Sequence, residues 1–478
     1  MDERLERFTE IIKKIDDCVW GLPLIVLILG CGIMLTVRTK GIQFRRLGTA
    51  LKLMFSKEES GDGEVSSFAA LCTALSATIG TGNIVGVATA IAIGGPGALL
   101  WMEIAAVLGM ATKYSEGLLA IKYRITDKNR QMLGGPFYYI ENGMGSRWKW
   151  LAKLFAVFGV FAGLMGIGTI AQINGITSAA NNFFSSESAK TITIFGTKYS
   201  YALIITGLLV TLFTALILIG GIKRISTVSQ IVVPFMAVVY ILCCIIIIIM
   251  NITEIPDAAA EIFKSAFGMK AAAGGVLGAV FAAMQSGISR GIFSNEAGLG
   301  SAPIAAAAAK TKKPVHQGLV TMTGTFIDTI IVCTMTGLAI VISGCINTNP
   351  ELEGVEITTA AFQHGLPFPD KVSAFILMIC LVFFAFTTIL GWNYYSERCL
   401  AYLTKSSKAG IMMFRFLYIA AVFIGPYLTV EAVWKIANIF NGLMAIPNII
   451  ALIALSGVIA AETKDYLSEN KRRAKQKQ

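Results

Sequence analysis

Two glycine-rich segments within long apolar stretches of the chain carry polar groups that could bind a small charged molecule. The first covers residues 76–86 and the second residues 285–300. Because glycine costs about 1 kcal/mol relative to alanine inside a helix, each cluster indicates backbone that leaves the helix. The N-terminus of a half-helix attracts a carboxylate, and free carbonyl oxygens coordinate an ammonium group or Na⁺. The pattern therefore suits a zwitterion that travels with a cation.

Helix packing through small residues is the alternative interpretation of these segments. Gly82 and Gly86 have the Gly-x-x-x-Gly spacing that lets two membrane helices approach closely. Packing alone does not require Arg290, Asn295 or Glu296 in the second segment. We therefore expect unwound backbone in both segments, which is tolerated at membrane depth only inside protein or beside a water-filled cavity.

The composition places both segments in a membrane protein. Of the 478 residues, 55% are hydrophobic and 14% are charged. Soluble domains carry about 25% charged residues, so an ordinary soluble enzyme, a disordered chain and a nucleic-acid binder are excluded. Eleven stretches are long and apolar enough to cross a bilayer. They cover residues 19–37, 65–93, 96–121, 150–172, 200–220, 228–250, 272–309, 315–343, 372–396, 410–430 and 436–460.

Few residues could support catalysis or hold a resident metal. The chain has 2 His and 9 Cys, without a Cys-x-x-Cys pair. A nucleotide-binding loop of the G-x-x-x-x-G-K-[ST] type is also absent from the sequence. The sequence therefore predicts neither an enzyme nor an ATP-driven pump, and neither nucleotide nor nucleic acid as a partner.

The basic residues indicate the orientation in the membrane. Lys and Arg are concentrated in the loops after the first, third, fifth, seventh and ninth spans and in the C-terminal tail. We expect the protein to lie in the cell (inner) membrane. The positive-inside rule then puts the N-terminus on the outer side of this membrane and the C-terminus in the cytoplasm. The basic tail at 471–477 would face anionic lipid headgroups, and a topogenic charge cluster explains it equally well.

The two broken spans occupy equivalent positions in two five-span units, which cover residues 65–250 and 272–460. Because five is odd, the units enter the membrane from opposite sides. This is the inverted repeat of many secondary transporters, whose broken helices point to a midplane site. The other segments are an extracytoplasmic N-terminal segment at 1–18, an extra first helix with a cytoplasmic loop at 19–64, a connecting loop at 251–271 and the cytoplasmic tail at 461–478.

Ionisable residues inside spans are costly unless they are paired. We expect Arg290 to form a buried pair with Glu296 or Asp328 that lines or gates a transport pathway. The first broken segment contains no carboxylate. Since a cationic substrate would call for one, we predict a neutral amino acid.

Five motifs resemble those of the alanine or glycine:cation symporter family, the sodium:alanine symporters. They run in order over nearly the whole chain: ATIGTGNIVGVATAI at 77–91, GGPGALLWM at 94–102, GGPFYYI at 134–140, RGIFSNEAGLGSAP at 290–303 and AFTTILGWNYYSER at 385–398. The resemblance implies an all-α polytopic membrane protein with a leucine-transporter (LeuT) type fold. That fold has ten core helices in a five-plus-five inverted repeat, here with one extra N-terminal helix. The resemblance also implies Na⁺-driven uptake of alanine or glycine by alternating access.

The resemblance further implies the binding residues. The substrate would meet unwound backbone and the side chains that close the pocket: Thr81, Gly82, Gln172, Ser286, Gly287, Ile288 and Trp392. One sodium ion would be held by the carbonyls of Ser76 and Ile79 and the hydroxyls of Thr387 and Thr388, and Asn83 would serve a second cation. Each has an ordinary alternative: hydroxyls bonded to their own helix, an interfacial tryptophan or amides that join helices.

Other functions stay open at this point. Proton-coupled symport, with Glu296 or Asp328 titrating, differs only in the driving ion. A channel is less favoured because its filter usually repeats around an oligomeric pore, whereas the two glycine-rich segments are unlike and lie in one chain. The sequence leaves open alanine versus glycine, L versus D, the sodium stoichiometry and the oligomeric state, for which a monomer is the simplest assembly.

Overall fold

Long apolar stretches form helices in this chain because a helix satisfies its own backbone hydrogen bonds within a membrane. The computed structural model describes residues 3–56, 62–127, 131–184, 191–194, 197–268, 275–349, 351–428 and 430–476. The side chains of the basic tail at 471–477 lie outside the described part of the chain.

Among the described residues, twelve helices precede the connecting loop at 251–271, one lies within it and ten follow it. The first twelve are α1 Glu3–Val19, α2 Leu22–Arg38, α3 Ile42–Arg45, α4 Leu47–Met54, α5 Ser67–Thr78, α6 Val87–Gly94, α7 Gly97–Lys122, α8 Pro136–Tyr139, α9 Lys149–Met165, α10 Ile170–Phe184, α11 Tyr201–Leu218 and α12 Gly221–Met250. The others are α13 Ile255–Ala266, α14 Val276–Asn295, α15 Ala302–Ala306, α16 Pro314–Thr325, α17 Thr334–Ser343, α18 Cys345–Thr348, α19 Val355–Gly365, α20 Asp370–Thr404, α21 Lys408–Ile424, α22 Val430–Ala454 and α23 Ser456–Gln476.

Shorter elements connect these helices. Wide π-helical turns occur at Gly82–Gly86, Ile140–Met144 and Phe326–Cys333, and 3₁₀ turns at Ser146–Trp148, Ile252–Glu254 and Gly425–Tyr427. The described strands form two antiparallel hairpins: β1 Ile125–Thr126 with β2 Met132–Leu133, and β3 Thr191–Ile194 with β4 Thr197–Ser200.

Eleven stretches of the described chain can cross a membrane, as the sequence predicted. Ten are helices of sufficient length and apolarity, and the eleventh is a bent pair, Ser67–Thr78 and Gly82–Gly94, whose halves meet at 54°. The first span runs over Glu10–Arg38. It therefore begins earlier than the predicted 19–37, because the end of α1 leads almost directly into α2, although residues 10–17 are mostly charged.

Helix α7 is the central helix of the bundle. Within its apolar window 83% is buried by the rest of the protein, against 22% for α11, which is left to face lipid. It packs along α14 and α16, so it touches the second broken span over much of its length. Polar side chains on α7 are therefore placed to reach that span.

The third core span contains a break that the sequence analysis did not predict. The predicted helix at 150–172 is interrupted at 166–169 between α9 and α10, and α10 then continues to Phe184. The hydroxyl of Tyr418 donates to the carbonyl oxygens of Gly168 and Ile389, both at 2.7 Å. One side chain thus compensates a carbonyl freed by the break and links α10 to α20.

Candidate substrate and cation site

The first broken span loses its helical hydrogen bonds at residues 79–81. Helix α5 ends at Thr78, Ile79 is extended (φ −74°, ψ 96°), and the π-helical turn Gly82–Gly86 leads into α6. Oδ1 of Asn83 accepts a hydrogen bond from the amide of Gly80 at 2.9 Å, which caps the start of the second half of the span. The unwinding predicted here is confirmed.

Thr81 and Gln172 meet at this break. The amide of Thr81 donates to Oε1 of Gln172 at 3.3 Å, which joins the broken span to α10. Thr81 is fully buried, and its hydroxyl has no hydrogen-bond partner among the described residues. A buried polar group without a partner costs about 1–3 kcal/mol. A ligand or a water molecule that bonds to this hydroxyl would recover that cost.

A cavity of about 700 Å³ is lined by Val85 and Gly86 of the first broken span. Its lining includes Ile93 and Glu351, which are exposed, so the cavity reaches the surface. Gly175 also lines the cavity and lies directly against Thr81, because a Cβ at that glycine would come within 2.6 Å of the threonine Cγ2. The cavity is therefore a route from one face of the bundle to the first break.

Thr388 meets the freed backbone from the opposite side. Its hydroxyl donates to the carbonyl of Ile79 at 3.3 Å and to the carbonyl of Phe384 in its own helix at 3.0 Å. Gly80 permits this contact, since a Cβ there would lie 2.5 Å from the Thr388 hydroxyl. A carbonyl and a hydroxyl oxygen are thus brought together as the predicted cation site requires.

The remaining predicted sodium ligands are placed differently. The Thr387 hydroxyl lies 3.8 Å from Sδ of Met236 on α12, so the structure brings only one of the two threonines to Ile79. Ser76 packs against α20, because a Cβ at Gly391 would lie 2.8 Å from the serine hydroxyl. The part of Ser76 and Thr387 in ion binding stays a prediction.

The second break lies at residues 296–301. Glu296 has φ 56°, and Gly298 and Gly300 have φ 90° and 80°, conformations that glycine adopts at little cost. Glu116 of α7 replaces the lost helical bonds, since its Oε1 accepts from the amides of Gly298 and Gly300, both at 3.2 Å. Asn448 of α22 donates to the same oxygen at 2.7 Å. Helices α7 and α22 thus hold this break in shape.

Ser286, Gly287 and Ile288 do not provide unwound backbone, because they lie inside the continuous helix α14. Gly287 instead allows close packing on α7, as a Cβ there would come within 2.1 Å of the carbonyl oxygen of Ala98. Ser286 donates to the carbonyl of Ala90 on α6 at 3.2 Å. The prediction of open backbone at these three residues is wrong, and small-residue packing is the correct interpretation here.

Asp328 links the two broken spans. It lies in the π-helical stretch Phe326–Cys333, a wide turn of the kind frequent at functional sites. Its Oδ1 accepts from Nδ2 of Asn83 at 2.8 Å, and its Oδ2 accepts from the hydroxyl of Ser294 at 2.9 Å. Asn83 belongs to the first broken span and Ser294 to the second. Any change in the angle between the spans must therefore disturb the bonds of this carboxylate, while a second cation at Asn83 stays a prediction.

Arg290 does not form the expected pair with Glu296 or Asp328. Glu296 accepts from Nε1 of Trp392 at 2.8 Å and from the hydroxyl of Ser301. Arg290 lines the large cavity and also a smaller one of about 140 Å³, where Asp16 of α1 is the acid whose charge acts on it. The expected pairing is wrong because the helix preceding α2 supplies the carboxylate.

The arrangement of two broken spans beside a cavity has counterparts among known proteins. A family model described as the sodium:alanine symporter family matches residues 5–478. The chain belongs to this family. The sodium/alanine symporter AgcS of Methanococcus maripaludis is 46% identical over 475 residues, which cover 98% of this chain and 99% of that protein. The probable sodium/glutamine symporter GlnT of Bacillus subtilis is 37% identical over 463 residues, which cover 96% and 91%.

A solved structure extends the likeness to the fold. MhsT in complex with L-phenylalanine superposes with a TM-score of 0.53 at 13% identity, covering 84% of this chain and 98% of that one. This confirms the leucine-transporter type architecture. As a member of the sodium:alanine symporter family, the protein is a multi-pass membrane transporter for amino acids and not an enzyme.

Sequence reasoning missed part of this symporter's polar core. Glu116 lies near the end of the predicted span 96–121, a place typical of interfacial residues, yet it is completely buried at the second break. Lys113, one turn before it, is 2% exposed, and its charge acts on Glu116, Glu296 and Asp328. The signal that could have found them is an acid and a base three residues apart within an apolar stretch, which demands pairing inside the protein.

Proposed function

We propose that this symporter carries a small neutral amino acid, alanine or glycine, into the cell together with Na⁺. The observation that carries the proposal is the buried hydroxyl of Thr81, which has no partner among the described residues and belongs to a residue that packs against Gly175 in the lining of the large cavity. A substrate carboxylate suits the positive end of the half-helix Gly82–Gly94, whose first amides are not used by a preceding helix. Thr81 and the backbone of Gly82 would then hold the carboxylate, and Gln172 would orient the break.

The packing around the break favours a small side chain. A Cβ at Gly82 would lie 3.3 Å from Cα of Ser294, so the two broken spans nearly touch there. Trp392, whose Nε1 donates to Glu296, would close the pocket from the second break. One methylene changes binding by only about 1–3 kcal/mol, so alanine and glycine should both be accepted with a modest preference.

Sodium binds, in this proposal, at the carbonyl of Ile79 and the hydroxyl of Thr388, with the carbonyl of Ser76 one turn away. Oxygen donors suit a hard cation, and the break has already freed the Ile79 carbonyl from helical bonding. An ion there would fasten α5 to α20 and fix the angle of the break. Because Thr81 is two residues from Ile79, the ion and the substrate order the same short backbone segment, which couples them.

The direction of transport follows from charge. The cavity is lined by parts of α6, α10 and the segment before α19, which lie on the side poor in Lys and Arg. With the N-terminus outside and the C-terminus in the cytoplasm, the cavity faces outward. Rocking of a bundle built on the two broken spans against the rest of the helices would close it and open the other face. Arg290, at the cavity wall, would act as part of the outer gate.

A calorimetric titration of the purified protein tests this proposal. Alanine, glycine, serine and glutamine are titrated in NaCl and in choline chloride, and we expect alanine and glycine to bind only with Na⁺. Thr81→Val should weaken alanine binding about ten-fold because it removes a hydrogen bond to a charged group. Thr89→Val is the matched control, since Thr89 lines the same cavity but bonds to Val85 of its own helix. Sodium-independent binding of every ligand would refute the proposal.

Proton coupling is the second candidate function, because Glu296 and Asp328 are buried carboxylates at the two breaks. It predicts uptake driven by a pH gradient without Na⁺. Comparison of the two imposed gradients decides between the ions.

A further inference from the structure

Arg124 joins the two broken spans at the ends that face away from the large cavity. It follows α7 and is half-buried. Its Nη1 donates to the carbonyls of Ala307 and Ala309 at 2.8 and 2.7 Å, and its Nη2 donates to the carbonyls of Asp62 and Thr311 at 2.6 and 2.7 Å. Asp62 precedes the first broken span, whereas the other three residues follow the second. One guanidinium therefore bridges both moving elements.

The same two segments, 62–66 and 307–311, are also paired through their backbones, and we call this pairing the seam. Val65 and Ala309 form a parallel bridge, and the amide of Lys310 donates to the carbonyl of Val65 at 2.8 Å. Gly63 allows the close approach, because a Cβ there would lie 2.5 Å from Cα of Lys310. The seam is thus a closed backbone contact between the two broken spans.

We propose that Arg124 is a latch that holds the seam shut while the large cavity is open, and that releases it before substrate leaves on the cytoplasmic side. The planar guanidinium presents five donors in a fixed fork, so it can bind several carbonyls at once, which the ammonium of lysine cannot do in the same geometry. Water entering a separated seam can solvate both the guanidinium and the carbonyls. Arg124 therefore has hydrogen-bond partners both when the seam is closed and dry and when it is open and filled with water.

This role rests on the proposed function, since a latch matters only if the two faces open alternately. Without the latch, more molecules have the inner face open. The apparent affinity of a ligand scales with the fraction of molecules in the competent state. Loss of the latch must therefore weaken alanine binding from the outside and strengthen it from the inside, which general damage to the structure would not do.

The test uses oriented proteoliposomes at saturating Na⁺. The alanine concentration that gives half-maximal uptake is measured from each side, which yields an outer and an inner value. Arg124→Ala should shift the equilibrium toward the inward-open state about ten-fold, the effect of losing hydrogen bonds to a charged group, and so raise the outer value and lower the inner one. Arg124→Lys should give an intermediate shift. Gly63→Ala should also raise the outer value and lower the inner one, without changing any charge. The controls are Arg147→Ala, at an exposed arginine near the same face, and Gly48→Ala, where no atom lies within 4 Å of the added methyl.

Hydrogen exchange read by mass spectrometry checks the seam directly, since peptides covering 62–66 and 307–311 should exchange about ten-fold faster in Arg124→Ala. Equal weakening from both sides, or no change in sidedness, would overturn the latch. If Arg124→Ala does not fold, Arg124→Lys and Gly63→Ala decide the question. A wild-type protein without Na⁺-stimulated uptake would refute the proposed function instead, so the two failures are distinguishable.

Discussion

Replacement of Thr388 by alanine should raise the Na⁺ concentration needed for transport about ten-fold. The hydroxyl lies 3.3 Å from the Ile79 carbonyl. Because the residue is only 1% exposed, bulk water cannot take the place of the hydroxyl as an ion ligand. An interaction with a charged group is worth about 1.5–3 kcal/mol, and each 1.4 kcal/mol is about a factor of ten. We expect the lower end of that range because the carbonyls of Ile79 and Ser76 remain.

The adjacent Thr387 offers a matched control. It is equally buried on the same helix, but its hydroxyl lies against Met236. Thr387→Ala should therefore change the Na⁺ requirement by less than about three-fold, an effect below 1 kcal/mol. Thr388→Ser keeps the hydroxyl and should behave like the wild type.

Alanine uptake into proteoliposomes, measured against external Na⁺ at saturating alanine and constant ionic strength, gives the Na⁺ requirement. The alanine half-saturation at saturating Na⁺ is measured in parallel and should change little in Thr388→Ala. Equal effects of Thr387→Ala and Thr388→Ala would refute the assignment of the ion to Ile79 and Thr388. So would a loss of alanine affinity with no change in the Na⁺ requirement.

Two further substitutions probe the breaks. Gln172→Ala removes the acceptor of a main-chain amide at the first break, so alanine binding at saturating Na⁺ should weaken about ten-fold in calorimetry; unchanged binding would remove Gln172 from the site. Gly298→Ala puts a Cβ on backbone with φ 90°, at a cost of about 1–2 kcal/mol. Its thermal unfolding in detergent should therefore occur at a lower temperature than that of Gly30→Ala, where the added methyl meets no atom within 4 Å. Equal unfolding temperatures would contradict the strain at the second break.

The number of spans was predictable because the length of an apolar stretch directly determines whether a helix crosses the membrane. The break at 166–169 was not, since it depends on a distant side chain. The Tyr418 hydroxyl, 250 residues from Gly168 in sequence, binds the carbonyl that the break leaves free. Local composition offers Gly163, Gly166 and Gly168 as a sign of the break but does not reveal the distant contact.

The site was predicted in part for a similar reason. Glycine clusters marked both broken spans, but composition cannot distinguish a glycine that admits a neighbouring helix from one that adopts a positive φ. Gly287 is of the first kind and Gly298 of the second, and the carboxylate of Glu116 decides where the helix opens. The carboxylate whose charge acts on Arg290 was missed because Asp16 lies in a segment expected to precede the membrane.

The coupling ion is tested most directly by alanine uptake into proteoliposomes under an inward Na⁺ gradient, an inward proton gradient, or neither. Sodium-coupled symport predicts that alanine accumulates above its external concentration only with the Na⁺ gradient and that choline cannot replace Na⁺. Accumulation on the proton gradient without Na⁺, or no accumulation of any small neutral amino acid under either gradient, would contradict it.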